Sequence, residues 1–490
     1  MSILMGKTIS EKIKDKIRYY KKDKVFSIFF AYIFLLGTFF TFAIPPFQKP
    51  DENVHFFRAA ALSKGNFFCQ EEGKKRVYKF PEKYSFFADE MGVYRIATNY
   101  DQKFAKRDLL TIESKLKDYG YEDQSNLEGF CGLKFVPYIP FVVPMLIGEV
   151  FNSVLLSFYL SRFTALLLFL IALFWSYEKI KYSRLKLILL LYSVIPMVIF
   201  QASAIGCDYA HLVSIPVLFA LNIDLILNKR CLKRDIYLFL FLIFVLIISK
   251  GGYYFFSLLY FLIPWEKISK SKRNYIIYTT IFLFLSFLPA IIETFFGFGT
   301  TNFENSISPS GQIVLLKDPI FSLNLIKNTF SEYFSFYYRG FIGIFGWVDY
   351  GLPNYIYSIW LLPVAYLVWQ ISASKIYKNF TRKFLIIFVM FISTILLILL
   401  IFYLTWNEVG SAAILGIQGR YFLQFTPYLL LCLGWIVYLL KRSKKFRLFF
   451  LVCVLIILLY EIVIATYDRY YTVSILNDTL SFIKGVIIKI

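Results

Sequence analysis

The sequence predicts an all-α polytopic membrane protein with about 11 transmembrane helices and a large, partly helical first extracytoplasmic loop. Three observations support this fold class. The chain has 490 residues and is 58% hydrophobic and 20% aromatic, which is more apolar surface than a soluble domain of this length buries. Many of its apolar runs contain about 20 residues, the length that crosses a bilayer. Short clusters of lysine and arginine alternate with these runs, as is typical of encoded membrane topology.

The basic clusters predict the orientation of the spans. The basic N-terminal segment 1–24 and five later clusters are placed together in the cytoplasm by the positive-inside rule; the later clusters cover residues 179–186, 229–234, 267–273, 375–383 and 441–447. Topology therefore accounts for the formal net charge of +21, and no nucleic-acid partner is expected. The predicted location is the bacterial cytoplasmic (inner) membrane, multi-pass, with the N-terminus in the cytoplasm.

The predicted membrane domain covers residues 25–466. Its spans are 25–46, 154–177, 187–205, 209–228, 235–249, 253–265, 275–296, 353–372, 384–405, 421–440 and 448–466. No small-x-small cleavage site follows the first span, so it is interpreted as a retained anchor and not as a removed signal peptide. The C-terminal tail, 467–490, is placed outside the cell membrane.

Two large loops, 47–153 and 297–352, lie on the predicted outer side. The apolar end of the first, 135–151, is interrupted by three prolines, and a crossing there would place the next basic cluster outside. A re-entrant or surface-lying segment is therefore expected. Cys69 and Cys131 share this loop, where an oxidising compartment permits a disulfide; two free thiols remain the alternative.

The stretch "KPDENVHFFRAAALSKG" predicts a helix that begins near Asp51 and ends at Gly65. On this helix Asp51, His55 and Arg58 occupy positions i, i+4 and i+7, which lie on one face. The alternative is an ordinary capped helix at the membrane surface, whose charged side chains extend to water.

Other unusual polar residues follow or precede spans on the same predicted outer side. They are Asp208 and His211 in "QASAIGCDYAH", Lys250 in "SKGGYY", Trp347 and Asp349 in "GWVDYG", and Gln418, Arg420 and Tyr421 in "GIQGRYF". Ionisable groups near membrane depth need a partner or water, so a shared outer cavity would explain their placement. Each also has a local explanation, such as a helix start for Asp208 or an interface anchor for Trp347.

These motifs resemble, in order, those of a bacterial membrane-protein family known as "domain of unknown function 2142", over roughly residues 43–430. That family looks like a relative of the integral-membrane glycosyltransferases with the C-type fold (GT-C). The resemblance implies a sugar donor linked to polyprenyl phosphate and a glycan or lipid acceptor, with transfer on the outer side of the cytoplasmic membrane. It also implies a catalytic acidic residue just after the first span, here Asp51 with Glu52 beside it.

The chemistry of such a transfer suggests roles for these residues. A base must take the proton of the acceptor hydroxyl, and a cation must stabilise the leaving phosphate. Arg420 is the first candidate for the cation, because arginine can bind a phosphate through two hydrogen bonds; Lys250 and Arg58 are lesser candidates. No cofactor is required, and a divalent ion (Mg²⁺ or Mn²⁺) on Asp51, Glu52 or His55 stays open.

The leading hypothesis is an inverting membrane glycosyltransferase that acts on cell-surface glycans. Two alternatives belong to other classes. A lipid-linked glycan flippase or polymerase component would not depend on the acidic pair, and a non-catalytic scaffold would depend on the outer loop as a whole.

Overall fold

The computed structural model describes residues 23–73, 75–99, 101–104, 107–228, 232–296, 309–377, 380–440 and 448–470. Most of the basic N-terminal segment, the basic cluster 441–447, the start of the second outer loop and most of the C-terminal tail lie outside the described residues. The predictions made for those segments rest on the sequence alone.

The described chain is mostly helical, with two small sheets. After α1 (Lys24–Ala43), the first outer loop contains α2 (Glu52–Ser63), β1 (Gln70–Glu72), β2 (Lys75–Pro81), α3 (Glu82–Glu90), α4 (Val93–Thr98), α5 (Arg107–Leu116), β3 (Gln124–Glu128), a 3-10 helix (Val136–Phe141) and α6 (Val142–Val150). The chain continues through α7 (Val154–Lys179), α8 (Ser183–Ser193), α9 (Pro196–Ala202), α10 (Asp208–Leu227), α11 (Lys233–Ser249), a 3-10 helix (Tyr254–Leu262), α12 (Trp265–Ile268) and α13 (Lys272–Phe296). The last part contains α14 (Pro309–Leu316), α15 (Pro319–Gly343), β4 (Ile344–Phe345), β5 (Tyr350–Gly351), α16 (Asn354–Ile359), α17 (Leu361–Ser372), a 3-10 helix (Lys375–Tyr377), α18 (Thr381–Trp406), a 3-10 helix (Gly419–Phe425), α19 (Thr426–Leu440) and α20 (Leu448–Tyr470).

Seven helical segments in the described residues are long and apolar enough to cross a membrane, which supports a multi-pass membrane protein. They become eight if α8 and α9, which meet at 69°, form one broken span. Pro196, the first residue of α9, explains the break, because proline supplies no N–H to continue α8 and restricts the residue before it. The predicted number of about 11 spans is not confirmed.

Three other predicted spans are not among these segments. Helix α11 has 17 residues, and the 253–265 run forms a nine-residue 3-10 helix between Tyr254 and Leu262. At about 2 Å per residue, that 3-10 helix covers little more than half of a hydrocarbon core of roughly 30 Å. Helix α20 has 23 residues, Leu448–Tyr470, and the part of it whose side chains the structure describes contains the apolar segment Leu455–Tyr467.

The bundle is built around α10, the most buried of the candidate spans at 83%, whereas the Lys272–Ile291 portion of α13 is only 6% buried. Local sequence signals set where the long helices begin. The Ser153 hydroxyl accepts a hydrogen bond from the Leu156 amide (3.1 Å) at the start of α7. The Asp318 carboxylate accepts one from the Ile320 amide (2.9 Å) at the start of α15.

The first outer loop forms a small folded unit that packs against α2. Strands β1, β2 and β3 make an antiparallel sheet in which Val77 lies opposite Glu128. A disulfide joins Cys69 to Cys131, with their Cα atoms 5.7 Å apart, as expected for an oxidising compartment. The free-thiol alternative for these two cysteines therefore does not describe this structure.

The proline-rich segment 135–151 forms the Val136–Phe141 3-10 helix and the nine-residue α6, which packs on α7. Together they are too short to cross a bilayer. Val143, Val150 and Phe151 are exposed along it. An exposed apolar face on a short helix is typical of a segment that lies in the membrane surface, which favours that interpretation of 135–151.

Candidate functional site

The site begins at the turn between α1 and α2, where Asp51 has φ 60° and ψ 9°, a left-handed backbone conformation. Few residues other than glycine adopt this conformation, and aspartate is among those that tolerate it best. Its carboxylate side chain is 56% exposed. Backbone strain of this kind persists where neighbouring contacts enforce it, and such residues are enriched at functional sites.

Two buried charged residues on either side of Asp51 hold this turn. The Lys49 ammonium donates hydrogen bonds to the Phe200 carbonyl (3.1 Å) and to the Ser203 hydroxyl (2.8 Å). Glu52 is fully buried, and its carboxylate pairs with Arg162 of α7 at 2.5 Å and 2.8 Å. Of the three charged residues in this turn, Lys49, Asp51 and Glu52, only Asp51 is exposed.

Glu52 is therefore placed apart from the exposed site. Its partner Arg162 also donates to the carbonyls of Thr41 (3.0 Å), Ile44 (2.6 Å) and Pro45 (3.1 Å), which end α1. A buried carboxylate whose oxygens are bound in this way fastens α2 to α1 and α7. The sequence pairs Asp51 and Glu52 as one acidic site, but the fold points their carboxylates into different surroundings.

Three predicted residues from three distant segments converge beside Asp51. The Asp51 carboxylate contacts the Arg420 guanidinium at 3.3 Å. Asp208, the first residue of the central helix α10, contacts the Lys250 ammonium at 2.7 Å and the Arg420 Nε at 3.9 Å. Asp51, Asp208, Lys250 and Arg420 form a cluster of two acids and two cations, which we call the charged cluster.

Tyr421 supplies an aromatic wall for both cations. Its ring centroid lies 4.1 Å from the Lys250 ammonium and 5.5 Å from the Arg420 guanidinium carbon, within the range of cation–π contacts. Arg420 is only 6% exposed, and within the described part of the chain its Nε has no hydrogen-bond acceptor. A buried donor without an acceptor costs free energy, so this atom is suited to receive a ligand oxygen.

His55 borders the charged cluster one helical turn after Asp51. Its Nδ1 lies 2.6 Å from the Tyr138 hydroxyl, and its ring packs against Gly206. Burial lowers the pKa of His55 below its usual value; Asp51 and Asp208 oppose this shift, while Lys250 and Arg420 add to it. A neutral imidazole fixed by Tyr138 is the result. Sequence reasoning missed Tyr138. Its sequence signal is its position between the two prolines of the "VPYIPF" segment.

Arg58 and His211 have structural partners away from the charged cluster. Arg58 donates to the carbonyls of Leu133 (3.0 Å), Asn66 (3.1 Å) and Phe67 (2.8 Å), which fastens the outer-loop unit to α2. The buried His211 Nε2 lies 3.0 Å from the Leu246 carbonyl, inside the bundle. These contacts occupy the groups that were predicted to bind substrate.

Trp347, Asp349 and Gln418 lie around the charged cluster but not in it. Trp347 Nε1 donates to the Phe47 carbonyl (2.9 Å), beside the α1–α2 turn. Asp349 pairs with the buried Arg469 of α20. Gln418 lines a narrow cleft whose walls include Arg420 and Pro50.

An apolar groove adjoins the charged cluster. The Gly419–Phe425 3-10 helix that carries Arg420 also contributes Phe422 and Phe425 to the groove wall. The rest of the wall comes from α8, α15, α17, α18, α19 and adjoining residues, and the cavity measures about 320 Å³. Its described lining presents only apolar surface. One short element thus links the charged cluster to a cavity lined by apolar surface.

The described residues contain no group of three or more His, Cys, Asp and Glu side chains arranged to hold a metal ion. In the charged cluster both carboxylates already face cations. A Mg²⁺ or Mn²⁺ ion with Glu52 among its ligands would require this carboxylate to leave Arg162. A ligand set that includes Glu52 therefore does not fit the residues as the structure places them.

A comparison with known protein families shows which family the chain belongs to. The family described as "Predicted membrane protein (DUF2142)" matches residues 34–429, most of the chain. The chain belongs to this family. The DUF2142 match contains all four members of the charged cluster and the Glu52–Arg162 pair. No curated protein and no solved structure matches the chain.

Proposed function

We propose that this DUF2142 protein is a membrane glycosyltransferase of the GT-C type, which transfers a sugar from a polyprenyl-phosphate donor to a glycan or lipid acceptor on the outer side of the inner membrane. The observation that carries the proposal is the pairing of an exposed carboxylate, Asp51, with a buried arginine, Arg420, that has an unused donor. A base and a phosphate-binding cation are the two groups that this reaction needs.

The cationic half of the site supports phosphate binding. Arg420 and Lys250 are held by Asp208, so their positions do not depend on the donor. In the proposed complex the donor phosphate replaces Asp51 on the guanidinium and uses the unpaired Nε. Preorganised cations of this kind stabilise the charge that develops on the leaving group.

Asp51 then acts as the base. The acceptor hydroxyl oxygen attacks the anomeric carbon from the face opposite the phosphate and forms the new C–O bond. The bond from that carbon to the phosphate oxygen breaks, and its electron pair leaves with the polyprenyl phosphate. The hydroxyl proton passes to Asp51, and the anomeric configuration is inverted.

The apolar groove supports a lipid-linked donor. Phe422 and Phe425 follow Arg420 on the same 3-10 helix, so a phosphate at Arg420 would place the first isoprene units against them. A water-soluble nucleotide sugar would gain nothing from these walls. The donor's sugar would project toward Asp51 and the outer surface.

The test is transfer of labelled sugar from polyprenyl phosphate in membranes that contain each variant. Asp51→Asn and Arg420→Ala are each expected to slow transfer by about 100-fold or more, because one loses the base and the other the phosphate contact. The matched control is Glu122→Gln, an exposed acid of the same outer loop. Wild-type transfer by both site variants would exclude this mechanism.

The same variants separate the alternatives. A flippase or polymerase component would keep its function in Asp51→Asn and lose it when the groove is blocked, for example by Leu429→Trp. A scaffold would tolerate both changes and fail only when the outer loop is deleted.

A further inference from the structure

A large cavity of the described structure lies away from the charged cluster, between α11 and α13. Its volume is about 780 Å³, within the range of roughly 300–1,000 Å³ typical of ligand sites. One wall is a single face of α11, with side chains such as Ile236, Leu240 and Phe244 at helical spacing. The other is a single face of α13, with Tyr278, Phe282 and Leu285. We call this cavity the α11–α13 groove.

The groove is cationic at one end only. Lys233, the first residue of α11, and Lys267 of α12 both line it at the predicted cytoplasmic end. Backbone carbonyls of Leu225 and Asn228 accept hydrogen bonds from the Lys267 ammonium and fix its position, and Lys233 is exposed.

The acidic residues of α11 and α12 do not neutralise these two lysines. Asp235 of α11 pairs with Lys179 at 2.8 Å, and Glu266 of α12 is exposed. Elsewhere the described walls are apolar apart from Ser286 and tyrosine hydroxyls.

The depth of the groove corresponds to one membrane leaflet. Lys233 and Phe244 are 11 positions apart on α11, which at about 1.5 Å per residue is roughly 16 Å. Half of a hydrocarbon core of roughly 30 Å is about 15 Å. A molecule with its anionic head at the lysines would have its apolar tail end near the bilayer midplane.

We propose that the α11–α13 groove is a binding site for an anionic glycerophospholipid of the leaflet that contacts Lys233 and Lys267. The lysines bind the head-group phosphate, and the two apolar helix faces enclose the acyl chains. Basic pockets between helices on the cytoplasmic side suit such head groups. The bound lipid also covers the side of α13 that faces α11. The rest of the bundle leaves α13 largely uncovered.

This site is separate from the proposed donor site. Lys250 of the charged cluster follows the opposite end of α11, 17 residues from Lys233, or roughly 25 Å along the helix. The phospholipid site therefore stands whether or not the protein transfers sugar.

The test is native mass spectrometry of the purified full-length protein, titrated with dioleoyl phosphatidylglycerol or dioleoyl phosphatidylcholine, which have the same tails. Wild-type protein is expected to bind one phosphatidylglycerol at least tenfold more tightly. Lys233→Gln should reduce that preference about fivefold, the effect of one lysine near an anionic head group. Lys181→Gln, an exposed lysine of another basic-side turn, is the matched control.

A second variant, Leu240→Trp, fills the groove and should weaken binding of both lipids. Equal affinities for the two lipids in wild type would overturn the proposal, as would equal effects of Lys233→Gln and Lys181→Gln. Tight phosphatidylglycerol binding that Leu240→Trp leaves unchanged would place the lipid elsewhere and would also overturn it.

Discussion

Asp51 and Glu52 show how neighbouring residues of one chemical type acquire different roles. The left-handed backbone at Asp51 turns the chain so that its carboxylate faces the exposed charged cluster while Glu52 enters the bundle. Lys49 and Glu52 hold that conformation from both sides. The exposed acid is free for chemistry because its buried neighbours supply the stability.

This division of roles predicts that the two acids differ in how much stability is lost when each is replaced. Glu52→Gln leaves Arg162 buried without its carboxylate, and breaking such a buried pair costs roughly 3 kcal/mol or more. Asp51→Asn should cost less than about 1 kcal/mol, because asparagine tolerates the left-handed conformation and exposed pairs contribute little. Thermal unfolding of both purified variants checks this. A larger loss for Asp51→Asn than for Glu52→Gln would contradict it.

The buried His55 predicts a dependence of stability on pH. Its pKa is lowered in the folded protein, so as pH falls below about 6.5 the unfolded chain binds a proton that folded His55 does not. The free energy of unfolding should then decrease by up to about 1.4 kcal/mol per pH unit, and the effect should be absent above pH 7. Unfolding midpoints at pH 7.5 and 5.5 should differ less in His55→Asn than in wild type; an equal difference would mean that other groups are responsible.

At the scale of elements, the Gly419–Phe425 3-10 helix links the two parts of the site. It carries Arg420 and Tyr421 of the charged cluster, and Phe422 and Phe425 of the apolar groove. Its first residue, Gly419, packs directly on the backbone of α15. This contact sets how deeply Arg420 is held.

Gly419→Ala should therefore displace the whole element. A Cβ at this position would overlap the Tyr337 carbonyl oxygen and the Phe341 amide nitrogen, and these backbone atoms cannot rotate away as a side chain can. We expect loss of transfer activity together with a lower unfolding temperature. The matched control is Gly251→Ala beside Lys250, where a Cβ meets nothing within 4 Å. Normal activity in Gly419→Ala would show that the close approach is not required.

At the scale of the whole molecule, the constraints of the bilayer make much of the fold predictable from the sequence. Contacts between residues that are far apart in the chain are not predictable in this way. Long apolar runs and basic clusters predict the helical bundle, because lipid leaves few ways to satisfy the backbone. The outer placement of Asp51, Asp208, Lys250 and Arg420 predicts that they could meet. Nothing local reveals the Arg162 partner of Glu52, 110 residues away. Hydropathy also does not distinguish a full span from the short 3-10 helix at Tyr254–Leu262.

The route of the chain around α11 decides the number of spans. If α11 crosses the membrane, Arg234 at its start and Gly251 just after its end lie on opposite sides, although its 17 residues extend only about 25 Å. A cysteine placed at Arg234 or at Gly251, with Cys207, Cys231, Cys432 and Cys453 replaced by serine and the Cys69–Cys131 disulfide kept, should then react with a membrane-impermeant maleimide from opposite faces. Glu122→Cys in the outer loop marks the outer face, and it should label together with Gly251→Cys. Labelling of both α11 positions from one face would show that this helix does not cross the membrane. That result would place the charged cluster and the α11–α13 groove on the same side of the membrane, and a single leaflet would then have to supply both proposed lipids.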